Sequence, residues 1–349
     1  MEMYDVTIIG GGASGLYSAF YSGMRDLKTK IIEYQPYLGG KLNVFLEKML
    51  WDVGGQPPIL AEQLLKNLIQ QAQTFSPTIC LNTKVDRIDK NEDYFVLSTS
   101  TGEHYSKTII IAIGGGIVHP MKLDIEGAQK FEMTNLHYTI QQMERFLDKN
   151  VVISGGGNAA IDWAVELLLF AKKITIVYRG EEIKAHEAFL NQLKVENAEI
   201  LMNAQIHSLH ANVDKSSIER VIIKQHNEKI ERIIDDVLIC HGYDRNISLD
   251  FAENIEPKRQ DKLFVSIGQC QTTVPGIFAT GDIVSYKDKV NLLVGTFQDA
   301  VLAVNSVKKY LDPQAASSAM VSSHNERFIE KNQKLFNYNG RVETNKTLI

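Results

Sequence analysis

One pattern constrains this 349-residue chain more than any other, and it occurs twice. A short run of aliphatic and β-branched residues breaks into a turn made almost wholly of glycine, and an apolar helical period comes next. The first copy is Val6-Thr7-Ile8-Ile9, then Gly10-Gly11-Gly12-Ala13-Ser14-Gly15, with Leu16, Ala19, Phe20 and Met24 at helical spacing beyond it. The second is Val151-Val152-Ile153-Ser154, then Gly155-Gly156-Gly157-Asn158-Ala159-Ala160, and an apolar helix over 161–171. Gly10 permits the tight turn, Gly12 lets backbone approach a diphosphate, and Gly15 lets the helix pack on the strand. The unpaired amides of the helix N-terminus then point at the anion. A glycine turn alone is weak evidence, but two such units about 145 residues apart make accident a poor account of them.

The strand after each turn sets the ligand. After the first turn, Thr29-Lys30-Ile31-Ile32 ends in Glu33, at the distance expected of an acid that hydrogen-bonds an adenosine ribose. A carboxylate there repels a ribose 2′-phosphate, so this site suits FAD or NAD rather than NADP. After the second, Ile174-Thr175-Ile176-Val177 ends in Tyr178-Arg179, with Lys184 a little further on. A base in place of the acid accommodates a 2′-phosphate, which makes NADPH the expected second ligand. Glu181 and Glu182 lie nearby and suit a solvent-facing first turn of a helix.

The remaining sequence reads as α/β. One helix is marked by Leu60, Leu64, Leu68 and Ala72. Strands are expected at 79–81, 85–88, 94–99 and 108–113, the last a fully apolar run that fits a buried parallel strand. A polar helix is expected over Thr139–Asp148. The β pattern returns at 199–209, 220–225 and 230–240, and this copy also ends in a glycine, Gly242. Ile277-Phe278-Ala279 stops at Thr280-Gly281-Asp282, which would set a carboxylate beside a polyhydroxyl chain, and a helix is expected beyond it over Gln298–Leu311. The expected fold is two Rossmann-like three-layer β/β/α dinucleotide-binding domains, the second inserted into the first. Residues 1–116 and 245–337 form one domain, 117–244 the other, and 338–349 a disordered tail.

Composition narrows the partners. Thirty-seven basic against 42 acidic residues leave a net charge of −5, which argues against a general nucleic-acid binder. No uncharged stretch reaches the roughly 18 residues that span a bilayer, and no signal pattern precedes the first strand, so a cytoplasmic protein is expected. Cys80, Cys240 and Cys270 form no CxxC pair, so no local dithiol or metal knuckle is expected, and each reads as a small packed residue.

With these residues in hand, the chain resembles the two-dinucleotide-domain flavoproteins, and within them the thioredoxin-reductase-like ferredoxin NADP reductases of bacteria. The likeness runs from Tyr4 to about Arg327. It is most specific at Gly10–Gly15 with Glu33, Gly39-Gly40-Lys41-Leu42, Trp51-Asp52-Val53, Asn135-Leu136-His137-Tyr138, Gly155–Trp163 and Ala279-Thr280-Gly281-Asp282. The resemblance implies FAD contacts from Gly10, Gly12, Ser14, Gly15, Glu33, Gly40, Lys41, Leu42, Trp51, Asp52, Val85, Gly281, Asp282 and Thr296. It implies NADPH contacts from Gly155, Gly157, Asn158, Ala159, Ala160, Arg179 and Lys184. Trp51, where the family usually has tyrosine, and His324 would cover the flavin ring, with no residue acting as acid or base. Each also has a plainer reading, Trp51 as a loop anchor and His324 as a solvated tail histidine. The paired arginines usual after the second strand are here Arg179-Gly180.

A thioredoxin reductase would carry a CxxC near 136–140, and this chain has no cysteine there. The resemblance therefore implies that electrons leave the flavin for an external carrier, ferredoxin or flavodoxin, that the chain is a homodimer, and that the crossover near Gly115 and Gly242 is a hinge. Three other readings stand beside this: a disulfide reductase working through Cys80 or Cys270, an NADPH-dependent flavin or ferric reductase, and a non-catalytic flavin redox sensor.

Overall fold

Residues 2–339, apart from 141, 184, 186, 197, 247 and 248, are described by the structure, a computed structural model. The chain enters as β1 (Met3–Ile9), turns through glycine into α1 (Ala13–Met24) and returns in parallel as β2 (Thr29–Ile32). Helix α2 (Ala61–Ala72) turns Leu64, Leu65, Leu68 and Ala72 inward, and β3 (Thr78–Cys80) adds in parallel to β2. A meander of β4 (Val85–Asn91), β5 (Tyr94–Thr99) and β6 (Gly102–Ile111) comes next. Strand β6 is ten residues long because it serves two layers: its first half pairs antiparallel with β5, and from Tyr105 onward it lies parallel beside β1.

The second unit repeats the plan. It comprises β7 (Leu136–His137), β8 (Asn150–Ser154), α3 (Asn158–Leu167), β9 (Lys173–Tyr178), α4 (Glu187–Val195) and β10 (Glu199–Met202). An antiparallel sheet of β11 (Ala204–Ala211), β12 (Ile218–Gln225) and β13 (Glu228–Ile233) precedes β14 (Asp236–Ile239). The parallel sheet runs β7-β14-β8-β9-β10. The chain then returns to the first sheet, where β15 (Asp250–Phe251) pairs with β4 and β16 (Ile277–Ala279) with β6, and ends in α5 (Leu293–Leu311) and α6 (Ile329–Asn339).

Both units are three-layered, and strand alternation explains how. Successive side chains of a strand face opposite sides. Ile8, Ile31 and Ile110 therefore meet Leu16, Leu68 and Val304 of the helices, while Ile9, Ile32, Ile109 and Ile111 meet Val85, Ile88, Phe95 and Leu97 of the meander. In the second unit Ile153, Ile176 and Leu238 pack under α3, and Val152, Val177, Val237 and Ile239 pack on β11 and β12. Each such buried aliphatic side chain contributes roughly 1.5–3 kcal/mol. The two crossings between units hydrogen-bond to each other as an antiparallel ribbon, Ile117–Pro120 against Tyr243–Asn246.

Several elements differ from the sequence reading. The expected helix over Thr139–Asp148 is a single 3-10 turn, Met143–Phe146. Ile140, Met143 and Phe146 are its buried apolar anchors, but Thr139 spends its hydroxyl on Val44 O at 2.7 Å instead of on a helix. The expected strand over 230–240 is two strands, because the chain changes layer between Ile233 and Asp236. Helix α3 spans Asn158–Leu167 rather than 161–171. Helix α5 begins five residues earlier than expected, which puts Gly295 and Thr296 in its first turn. A Cβ on Gly295 would fall 2.1 Å from Val290 O, so glycine is what lets the helix start against that loop. Helix α6 continues through Asn339, two residues into the expected tail, while 340–349 lie outside the described residues.

Candidate active site

Three segments meet at the carboxyl ends of β1, β2 and β16. Gly10 takes φ +105 and donates its N–H to Ile32 O at 2.8 Å, so the turn is closed by the backbone of the neighbouring strand. Glu33, next in chain, accepts from Gly11 N–H at 2.6 Å and from Gln35 N–H at 2.8 Å, one amide to each oxygen. Thr83 N–H donates to Glu33 O, which brings 82–85 alongside the acid, with Val85 itself buried in the core. Gly39 N–H donates to Gly11 O at 2.8 Å and lays Gly40 against Gly12. Lys41 reaches within 3.9 Å of Asp282, while Leu42 is buried beneath. The Ser14 and Thr280 hydroxyls hydrogen-bond each other, fastening the head of α1 to the end of β16.

The glycines divide by what they face. A Cβ on Gly10 would lie 2.5 Å from Ala112 O, and one on Gly15 would lie 1.9 Å from Gly10 O, so the fold itself demands both. Gly12 meets nothing closer than Gly40 Cα at 3.8 Å. The second turn divides the same way: a Cβ on Gly155 would lie 2.4 Å from Cys240 O, whereas one on Gly157 meets no atom within 4 Å. In each turn the third glycine leaves a face open that could receive a diphosphate, and the residues present fit dinucleotides at both places.

At the second crevice Gly155 N–H donates to Val177 O, as Gly10 does to Ile32 O in the first. That register sets Tyr178, not Arg179, opposite the position of Glu33. The Tyr178 ring folds over the turn, so a Cβ on Gly156 would sit 2.4 Å from it, and one on Gly180 would sit 2.7 Å from it. A larger side chain at Gly180 would therefore have to share space with that ring. Arg179 is exposed, as are Asn158 and Ala159 in the first turn of α3, and Ala160 is buried. Lys184 lies outside the described residues.

The structure brings Gly10, Gly12, Ser14, Gly15, Glu33, Gly40, Lys41, Gly281 and Asp282 to one crevice. Thr296 lies in the first turn of α5 beside it, in contact range of Gly281. Trp51 stands 76% exposed in the loop that joins Met49-Leu50 to its hairpin partner Ile59-Leu60, and Asp52 next to it is exposed too. His324 is not brought there by its own chain. Asn325 bonds Met24 O, Arg327 pairs with Asp26 at 2.9 Å, and Phe328 packs on Phe20 and Phe75. These anchors hold the tail at the far end of α1, about 18 Å along the helix from the glycine turn.

Three participants carry more weight than sequence reasoning gave them. Asp299 on α5, fully buried, accepts from Gly281 N–H and from the Tyr286 hydroxyl and Lys289 ammonium, so it fixes the Gly-Asp turn from beneath. Its signal was an acid in the apolar face of a helix. Tyr178 is the second. The third, His241, comes after β14 and bonds Ser154 Oγ through Nε2 at 2.8 Å, at the mouth of the second crevice. Burial, and then the nearby Arg179 charge, hold its imidazole below the ordinary histidine range. Asn135 and His137, prominent in the sequence, brace the scaffold: Asn135 bonds Ile218 and Asp235 backbone, and His137 pairs with buried Asp236 at 2.7 Å.

The family model for pyridine nucleotide-disulphide oxidoreductases matches residues 4–306. The chain belongs to the pyridine nucleotide-disulphide oxidoreductase family. Among curated members it is 55% identical over 338 residues to ferredoxin–NADP reductase 3 of Lysinibacillus sphaericus, covering 96% of this chain and 97% of that one. It is 50% identical to ferredoxin–NADP reductase 1 of Oceanobacillus iheyensis, covering 96% and 98%. It therefore groups with the ferredoxin–NADP reductases. Of solved structures, thioredoxin reductase of T. acidophilum superposes with a TM-score of 0.72 at 22% identity, over 90% of this chain and all of that one. That of Lactococcus lactis gives 0.71 at 23%, over 88% and 99%. These two establish likeness of fold, the two-unit Rossmann architecture of the parallel sheets and their helices.

Proposed function

We propose that this oxidoreductase takes hydride from NADPH onto FAD and passes electrons singly to ferredoxin or flavodoxin, the reaction of a ferredoxin NADP(+) reductase. The observation that carries the reading is the contrast at one register position. Glu33 faces the first turn with both carboxylate oxygens on amides, which suits the adenosine of FAD. The matching position of the second turn holds the uncharged Tyr178 with Arg179 beside it, which suits a 2′-phosphate. Gly12, Ser14, Glu33, Lys41 and Asp282 hold the FAD, and Gly157, Asn158, Ala159 and Arg179 the NADPH, with Lys184 a further contact. Trp51 covers one face of the flavin ring.

The flavin, when bound, supplies the two-electron to one-electron conversion. The chain's own residues align donor and acceptor, and no side chain moves a proton. Residues 1–116 and 245–337 form the FAD-binding domain and 117–244 the NADPH-binding domain. The enzyme is a cytoplasmic homodimer; no helix among the described residues is long and apolar enough to cross a membrane. Curated relatives named ferredoxin–NADP reductase support the choice of acceptor.

The test is stopped-flow reduction of the yellow holoprotein by NADPH and by NADH, then mixing with ferredoxin or flavodoxin. Fast reduction by NADPH and rapid reoxidation by the protein carrier are expected. A protein that cannot bind FAD, or that reduces only free flavin or ferric iron, refutes the assignment. The thiol-reductase alternative finds little support, since Cys80, Cys240 and Cys270 are all unpaired and burial pushes the Cys240 and Cys270 thiols up to about 12. A triple Cys→Ala variant should keep full carrier-coupled activity.

A further inference from the structure

We propose that Lys48 is a positioning residue that sets the orientation between the two nucleotide sites through Glu166 and Trp163, an inference that rests on the proposed reductase function. Lys48 belongs to the first unit, in the turn between the 3-10 stretch Gly40–Val44 and the Met49–Leu50 strand. Its ammonium lies 2.8 Å from Glu166 Oε1 on α3. It also lies 4.3 Å from the centroid of the Trp163 ring, one turn earlier on that helix. The side chains of Lys48 and Glu166 are 21% and 37% exposed, so water and salt screen the pair less than they screen a surface pair.

Two further contacts tie the same segment to the second unit. Thr139 donates its hydroxyl to Val44 O at 2.7 Å, and the Phe45 ring packs against the apolar cluster beneath α3. The segment begins with Gly40 and Lys41 at the first crevice and ends at Trp51, while α3 begins at the second glycine turn. One ion pair thus joins the wall of the first site to the helix that caps the second. Glu166 lies about 12 Å along α3 from Asn158, so the pair influences alignment while leaving diphosphate contacts alone. Hydride transfer needs its atoms about 3–3.5 Å apart, and a displacement of about 1 Å can slow it on the order of a hundredfold.

Holoproteins carrying Lys48→Met, Glu166→Gln, both, or Lys48→Arg are reduced anaerobically over a range of NADPH concentrations. The limiting rate constant should fall roughly tenfold in each of the first two. The double variant should be no slower than either, as expected when both changes break one interaction. Lys48→Arg should restore most of the rate, and the NADPH dissociation constant should stay within about twofold throughout. In apoprotein carrying Trp51→Phe, where Trp163 is the sole indole, Lys48→Met should shift the emission as the cation leaves the ring. A limiting rate unchanged or raised in Lys48→Met, losses that add in the double variant, or a failure of Lys48→Arg to rescue overturns the proposal. A wild type that NADPH fails to reduce overturns the functional reading and this inference together, whereas a reducible wild type beside an equally fast Lys48→Met overturns this inference alone.

Discussion

Replacing Gly157 with alanine should leave the apoprotein about as stable as wild type and still impair NADPH binding. Gly157 has φ −91 and ψ 174, which alanine adopts without strain, and its added methyl meets no protein atom within 4 Å. Alanine caps a helix less well than glycine but also restricts the unfolded chain, and these effects of roughly 0.5–1 kcal/mol oppose each other. The net change in stability should stay within about 1 kcal/mol. The methyl would stand on the face beside the exposed first-turn residues Asn158 and Ala159, where the diphosphate must come close. Breaking one hydrogen bond to a charged group costs about 1.5–3 kcal/mol, or about 10- to 150-fold in Kd.

Gly155→Ala is the opposite case. Its φ is +148 and its Cβ would fall 2.4 Å from Cys240 O, on the backbone just past the end of the adjacent strand β14, so the fold should lose upwards of about 2 kcal/mol. Denaturant melts give the stabilities and calorimetric titration with NADP gives the affinities, with FAD content as an internal control in the other unit. Wild-type affinity in Gly157→Ala, or wild-type stability in Gly155→Ala, would refute the division of the glycines into those the fold needs and those only a ligand needs.

Three further outcomes are expected. Glu33→Ala strips the acceptors from the Gly11 and Gln35 amides and should weaken FAD binding about 10- to 100-fold by apoprotein titration, with NADPH affinity unaltered. Asp299→Ala leaves the Lys289 ammonium buried without its partner and should destabilise the fold by about 3–5 kcal/mol in denaturant melts; a loss below about 1 kcal/mol would mean the site relaxes or hydrates. The Arg232 guanidinium beside Glu199, with Lys173, lowers that carboxyl from its ordinary 4.5 to about 2. Its folded pKa is depressed, so its stabilisation is present above about 4.5 and is lost as pH falls toward about 2. Glu199→Gln should therefore flatten the acid limb of stability against pH, and an unchanged slope would refute that assignment.

Local chemistry was what the sequence made legible. Val6–Ile9 with its glycines, and Val151–Ser154 with its own, are strand and turn because few other conformations accommodate such residues, and β strands were legible at 85–88, 94–99 and 108–113 without their pairing into a meander. Thr139–Asp148 misled because its polar residues fit a helix locally, whereas the hydroxyl partner that overrides this, Val44 O, comes from about 95 residues away. The layer change after Ile233 was hidden although Asp235-Asp236 marks it, because Ile233-Ile234 before the pair and Val237–Cys240 after it read as one β pattern. At the site, Glu33 could be read from spacing alone, since its partners are the amides of the turn it serves. Asp299 and His241 could not, because what makes them matter, Gly281 N–H and Ser154 Oγ, is brought to them only by the tertiary fold. Tyr178 was in view but its weight was given to Arg179, and only strand register separates the two.

The ribbon between the units has a practical consequence. Ile117 and Asn246 are ladder partners, so the polypeptide leaves the first unit and comes back to it at nearly the same spot, about 5 Å apart across the ladder. The intervening stretch is a cassette on a single stem. Cutting it out would leave a gap that a tight hairpin of a few residues can close, at the cost of the contacts that Val44, Phe45 and Lys48 make to the second unit.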